Sequence, residues 1–123
     1  MLRSQVVDPL FPQCPVRNVL SRFGDRWSLL VLLTLQSNEH PMRFRDFCKT
    51  IPDVSQKMLT KTLRELEADG LVARTVYPEV PSRVEYELTE CGLSLIPLLN
   101  QLVSWSLENM DAIIKHRKKY YLK

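Results

Sequence analysis

Apolar residues recur along this chain with two different periods, and the changes of period divide it into elements. In CPVRNVLSRFG, Val16, Val19, Leu20 and Phe23 recur at helical spacing, Pro15 occupies the first helical position, where its missing N–H costs nothing, and Gly24 supplies a terminus. DRWSLLVLLTLQ follows behind Asp25 as a cap and is apolar nearly all round, which predicts a helix running through the middle of the core. After a polar break from Ser37 to Pro41, MRFRDFCKTI places Phe44, Phe47, Cys48 and Ile51 at i, i+3, i+4 and i+7. That is a short amphipathic helix, with room for a brief strand at His40 to Met42 before it.

The next stretch, SQKMLTKTLRELEADG, has Ser55 or Asp53 available as a cap. At about 100° per residue, Leu59, Leu63 and Leu66 share one face, while Lys57, Thr60, Lys61 and Arg64 cluster nearly opposite. Its charges run the wrong way for an isolated helix, whose positive start favours carboxylates and whose negative end favours cations. Here Lys57 and Lys61 lead, and Glu65, Glu67 and Asp69 trail. A base-rich leading half makes sense against phosphates, where side-chain charge adds to the helix's own positive end. The plainer alternative is a solvated face with Lys61 and Glu65 as an ordinary i,i+4 pair.

The period then switches to two. LVARTVY and RVEYELT alternate in character, with Val84, Tyr86 and Leu88 on one face and Arg83, Glu85 and Glu87 on the other, around a PEVPS loop. A β-hairpin following two helices is the wing of a winged helix-turn-helix, whose second helix can lie in the major groove of DNA. Ser82 and Arg83 end the loop; Arg83 is the first choice for a wing contact and Arg74 the second, against cross-strand pairing of either with a Glu. From Thr89, a cap, to about Arg117 the pattern is helical again, with Leu95, Leu98, Leu99, Leu102, Trp105, Met110, Ile113 and Ile114 as apolar positions. Pro97 should bend this helix or delay its start. So small a domain has little core to cover it, so a two-fold partner is expected on Val16, Val19, Leu20, Phe23, Leu98, Leu102 and Trp105. The alternative is packing back on its own core.

The expected fold is therefore mainly α with a small antiparallel β-hairpin: a winged helix-turn-helix flanked by N- and C-terminal dimerisation helices. Residues 1–13 form a loose arm, 14–118 the domain with dimerisation helices at 14–24 and 90–118, and 119–123 a basic tail, read as a solvated helix end. At 123 residues, 45% hydrophobic and 25% charged, the chain suits one domain with one core. A net charge of +3, from seventeen basic and fourteen acidic residues, permits an anionic partner without demanding one. The longest apolar run, Leu29 to Leu33, falls far short of the roughly 20 residues that span a bilayer, and MLRSQVVDPLFPQ lacks a signal-peptide core, so the expectation is cytoplasmic with no membrane partner. Cys14, Cys48 and Cys91 form no C-x-x-C pair and have only His40 and His116 to join them, so no metal, cofactor or disulfide framework is expected. A cysteine-dependent enzyme would need a base near its nucleophile, and the placement of both histidines disfavours one.

CPVRNVLSRFGDRWSLLVLLTL, MRFRDF and IPDVSQKMLTKTLRELEADGLVARTVYPEVPSRVEYELTECGLSL, in that order, resemble the HxlR-type family of bacterial transcription regulators, relatives of the MarR winged-helix group. The likeness covers roughly Cys14 to Trp105. It implies a homodimeric DNA-binding regulator without enzymatic activity, with the recognition helix on Ser55 to Asp69, the wing on Val76 to Tyr86 and the family's N-terminal cysteine on Cys14; dimerisation itself predicts a pseudo-palindromic duplex. On both grounds the expected DNA-binding set is Ser55, Gln56, Lys57, Thr60, Lys61, Arg64, Arg74, Ser82 and Arg83. A protein-interaction module without specific DNA binding is the alternative. Cys14 precedes Pro15 at a helix N-terminus, whose field favours a thiolate, and Arg17 lies within a turn. Some family members detect oxidants or electrophiles there; a small half-buried cap is the other reading. Cys48 and Cys91 look structural, and the sequence names no effector.

Overall fold

The computed structural model describes Leu10 and residues 15–122, with the backbone alone for 15–17. Cys14 and the side chain of Val16 lie outside the described residues, as does most of the arm. Among the described residues, five helices and one hairpin follow in order: α1 (Pro15–Ser21), α2 (Ser28–Ser37), α3 (Phe44–Thr50), α4 (Gln56–Ala68), β1 (Val72–Tyr77), β2 (Arg83–Leu88) and α5 (Glu90–Tyr121).

The apolar helix α2 is central, as its pattern predicts: it packs against α3, α4, α5 and β2, and buries Val31, Leu32 and Leu35. It starts later than expected, at Ser28, with Trp27 at the cap position. Asp25 still organises this start, accepting from the backbone N–H groups of Trp27 and Ser28 at 2.8 and 2.7 Å and from Ser28 Oγ at 2.7 Å. These bonds hold an extra turn ahead of the helix and satisfy the buried serine. Burial alone would raise the Asp25 carboxyl, but the bonds from Ser28 and Trp27, with the nearby Arg22 charge, hold it below its usual range.

Leu59, Leu63 and Leu66 bury the inner face of α4 against the same core, which Phe47, Ile51, Met42, Val72, Ile96 and Leu99 complete. Ser55 caps α4, its hydroxyl accepting from the Met58 N–H at 3.1 Å. At the other end Gly70 adopts φ +76°, its N–H reaching Glu67 O and that of Leu71 reaching Leu66 O, both at 3.0 Å. This reversal needs the left-handed conformation that glycine supplies, and it sends the chain directly into the hairpin. The strands pair antiparallel from Val72 opposite Leu88 to Tyr77 opposite Arg83. The brief strand expected at His40 to Met42 reduces to one bridge, in which Met42 and Tyr86 exchange backbone hydrogen bonds of 2.9 and 2.8 Å.

Thr89 begins α5 as expected, accepting from the Gly92 N–H at 3.1 Å and donating to Gly70 O at 2.6 Å. Pro97 does not delay the helix, which starts at Glu90; the carbonyl its ring leaves without an N–H partner belongs to the half-exposed Leu93, where water can reach it. The helix also passes 118 and takes in Lys119, Tyr120 and Tyr121, so part of the expected tail is helical. Cys91, expected to be structural, is exposed on the first turn because Gly92 and Ile96 take the inward positions, whereas Cys48 packs half-buried against the core. Beyond Leu99, α5 leaves the core, and Leu102 and Trp105 remain 53% and 57% exposed. Val19, Leu20 and Leu98 are exposed as well; Phe23, grouped with them on sequence, packs against the core of its own chain. No described helix is long and apolar enough to cross a membrane.

Candidate nucleic-acid interface

Helix α4 segregates its faces. While its leucines are buried, Gln56, Lys57, Lys61 and Arg64 are exposed and Thr60 is half-buried, its hydroxyl donating to Gln56 O at 2.8 Å. Gln56, Lys57, Thr60, Lys61 and Arg64 line a shallow depression closed on one side by Phe44 of α3. A second depression shares Phe44, Thr60 and Arg64 and extends to Arg74 and Tyr86 of the hairpin. A third, again against Phe44, is bordered by Arg43, Arg45 and the wing from Glu79 to Val84, which includes Ser82. Phe44 is thus a common wall between the ridge of α4 and the wing.

The two candidate wing arginines differ in their surroundings. Arg74 is exposed and shares a depression with Arg64, which puts it beside the α4 ridge. Arg83 folds back: its guanidinium carbon lies 4.1 Å from the centroid of the Tyr77 ring, and Nε faces carboxylates of Glu79 and Glu85 at 3.6 and 3.5 Å. Its charge is balanced within the wing by a loop glutamate and one of its own strand, not by the cross-strand glutamate that the sequence left open; its cross-strand partner is Tyr77.

Three basic residues escaped the sequence analysis. Arg43 and Arg45 flank Phe44 and are exposed beside the wing, a proximity that only the folded hairpin creates. Arg22, just after α1, bonds the trailing carboxylates of α4: Nε donates to Asp69 Oδ2 at 2.6 Å, and Nη1 pairs with Glu65 Oε2. The bond to Asp69, against an opposing effect of burial, raises the pKa of this already very basic guanidinium, so it remains charged throughout the folded range. Lys61 reaches the other oxygen of Glu65 at 3.9 Å. The awkward order of charges in α4 is therefore answered in part: Arg22 pairs with Glu65 and Asp69, Glu67 lies in the depression it shares with Arg64 and Arg74, and Lys57, Lys61 and Arg64 face outward.

Among the described residues, no group of three or more histidine, cysteine or acidic side chains is placed to hold a metal. A two-helix unit with a cationic second helix, followed by a two-stranded wing, defines a winged helix-turn-helix protein of the DNA-binding class. The family model described as HxlR-like helix-turn-helix matches residues 22–114. The chain belongs to that family of transcriptional regulators. It is 50% identical over 92 residues to an uncharacterised HTH-type transcriptional regulator of Methanothermobacter thermautotrophicus, covering 75% of this chain and 69% of the relative. Among solved structures, the redox regulator HypR in its reduced form is 40% identical, with a TM-score of 0.73 over 82% of this chain and 98% of that one. The putative transcriptional regulator YtfH of Salmonella typhimurium is 34% identical, with a TM-score of 0.76 over 92% and 99%.

Proposed function

We propose that this regulator acts in the cytoplasm as a homodimer on a pseudo-palindromic duplex, with α4 of each subunit in the major groove and the hairpin against the flanking backbone. The observation that carries this reading is the pairing of a buried Leu59, Leu63 and Leu66 face with an exposed Lys57, Lys61 and Arg64 ridge, continued by Arg74. Such a ridge supplies phosphate contacts for register, while Gln56 and Thr60 present hydrogen-bonding groups to base edges. Two copies would space their recognition helices about 34–36 Å apart, one turn of DNA. Exposed Val19, Leu20, Leu98, Leu102 and Trp105 supply the apolar surface for pairing.

The same reading assigns regulation to the Cys14 thiol. Support comes from its place ahead of Pro15 at a helix start and from the likeness to a redox regulator. An oxidant or electrophile that modifies this sulfur would alter the relation of the two subunits and so the grip on DNA.

Equilibrium binding to duplexes selected from a random pool, followed across salt concentrations, tests the first part. Lys57→Ala and Arg64→Ala are each expected to weaken binding and to reduce the salt slope by about one released counterion, with stability unchanged to within about 0.5 kcal/mol. Parallel loss of stability and binding would make these side chains structural. Alkylation rate against pH tests the second part: a Cys14 that titrates near the ordinary thiol value of about 8.5 is not a sensor.

A further inference from the structure

Between α1 and the recognition helix, the polar tie among the described residues is Arg22. It follows α1 directly, its own N–H bonding Val19 O at 3.1 Å to continue the turn. The neighbouring Phe23 packs against the core, while Val19 and Leu20 of α1 face outward. From this position Arg22 reaches 43 residues along the chain to Glu65 and 47 to Asp69. Glu65 lies in the last turn of α4 and Asp69 one turn further, at its C-cap, so a planar guanidinium bound to both fixes the rotation of α4 about its axis as well as its distance from α1. The side chain of Arg22 is only 16% exposed, which limits screening of the pair by solvent. The other charged groups around this cluster are Asp25, whose carboxylate acts on Arg22 through space, and Lys61, which shares Glu65.

We propose that Arg22 is a positioning residue: by clamping Glu65 and Asp69 it sets the angle between α1 and the recognition helix, and thereby the half-site spacing that the dimer accepts. This rests on the homodimer reading above, in which a partner seats on the outward face of α1. Whatever fixes α4 relative to α1 then fixes the two cationic ridges relative to each other. Glu65 joins this clamp to the binding surface, since one of its oxygens faces Arg22 and the other Lys61. When a phosphate draws Lys61 away, Glu65 is left wholly to Arg22, so DNA binding tightens the clamp.

The test uses the full chain and duplexes selected by the wild-type protein, resynthesised with one or two base pairs added or removed between the half-sites. Arg22→Gln is expected to bind the selected duplex roughly tenfold more weakly and to lose most of the wild-type preference for its spacing. The salt slope should stay unchanged, because no phosphate contact is removed. Glu65→Gln combined with Asp69→Asn empties the clamp from the other side and should reproduce the loss of preference. Arg22→Lys, which keeps the charge without the fork, should fall between Arg22→Gln and the wild type. Retained spacing preference in Arg22→Gln, or an equal weakening on every spacing, overturns the proposal. Should Arg22→Gln fail to fold, the carboxylate pair decides it in the same way. A wild-type protein that selects only single half-sites overturns the homodimer reading and the clamp with it, whereas intact wild-type spacing preference with insensitive variants overturns the clamp alone.

Discussion

Gly92 brings the first turn of α5 so close to the backbone of Leu71 that a Cβ placed on it would overlap the Leu71 carbonyl oxygen. That same oxygen accepts the Thr89 N–H at 3.1 Å. Gly92→Ala should therefore destabilise the protein, even though alanine is favoured over glycine by about 1 kcal/mol within a helix. The overlap meets backbone, which yields little, and overpacking of this kind costs about 1–3 kcal/mol before the displaced hydrogen bond is counted. A net loss of about 1–3 kcal/mol is expected in urea unfolding; an alanine variant as stable as the wild type would mean that the helix can shift away from the hairpin.

Arg74 and Arg83 should separate cleanly on mutation. Arg74→Ala removes an exposed cation beside Arg64, so it is expected to weaken duplex binding and flatten the salt slope with little change in unfolding. Arg83→Ala removes the cation stacked on Tyr77 and leaves Glu79 and Glu85 without their counter-charge. Its main effect should be a stability loss of about 0.5–1 kcal/mol with a nearly unchanged salt slope. The opposite assignment would follow if Arg83→Ala alone changed the slope.

The Asp25 carboxyl predicts a stability difference confined to one side of the pH scale. Its folded pKa lies below the ordinary 3.8, so its contribution is fully present above that value and is lost as the pH falls through the lower folded value. Asp25→Asn should be less stable than the wild type at neutral pH, and the gap should close in acid, below about 3.8. Thermal unfolding measured at pH 7 and at pH 3 checks this; a gap that is undiminished at pH 3 would point to shape rather than charge at this turn.

The outward face of α5 makes the oligomeric state testable by single charges. Leu102→Glu or Trp105→Glu puts a carboxylate on a face that is already more than half exposed in the single chain, so helix content should not fall. Sedimentation at micromolar concentration should show the wild type as dimers and either variant as single chains, because an unpaired charge buried in an apolar interface is strongly unfavourable. A monomeric wild type would remove the basis for paired half-sites.

Helix α4 and its surroundings were legible in the sequence because every signal that defines them is local: the Ser55 cap, three leucines at helical spacing and the glycine that stops the helix. The hairpin was legible for a similar reason, since alternation and a proline-marked loop fix both strands without reference to the rest of the chain. The start of α2 was misjudged by two residues because Asp25 does act as an acceptor there, but for a turn preceding the helix. Cys91 was misplaced because an apolar count cannot say which of two neighbours, Cys91 or Gly92, meets the strand backbone. Arg22 was invisible: no local pattern marks a residue whose partners lie 43 and 47 positions away. Pairing of Arg83 with a glutamate was foreseen as an alternative, but not that the partners would be Glu79 of the loop and Glu85 of its own strand, with Tyr77 stacked opposite.

The Met42–Tyr86 bridge bears on how such a protein accommodates a duplex. Met42 stands just ahead of α3 and Tyr86 in the middle of β2, and the two backbone bonds between them weld the hairpin to the helical pair. The reading head is consequently a stiff plate rather than a hand with a loose finger. A mismatch in groove width therefore has to be absorbed by the double helix or by a shift of the whole plate against it.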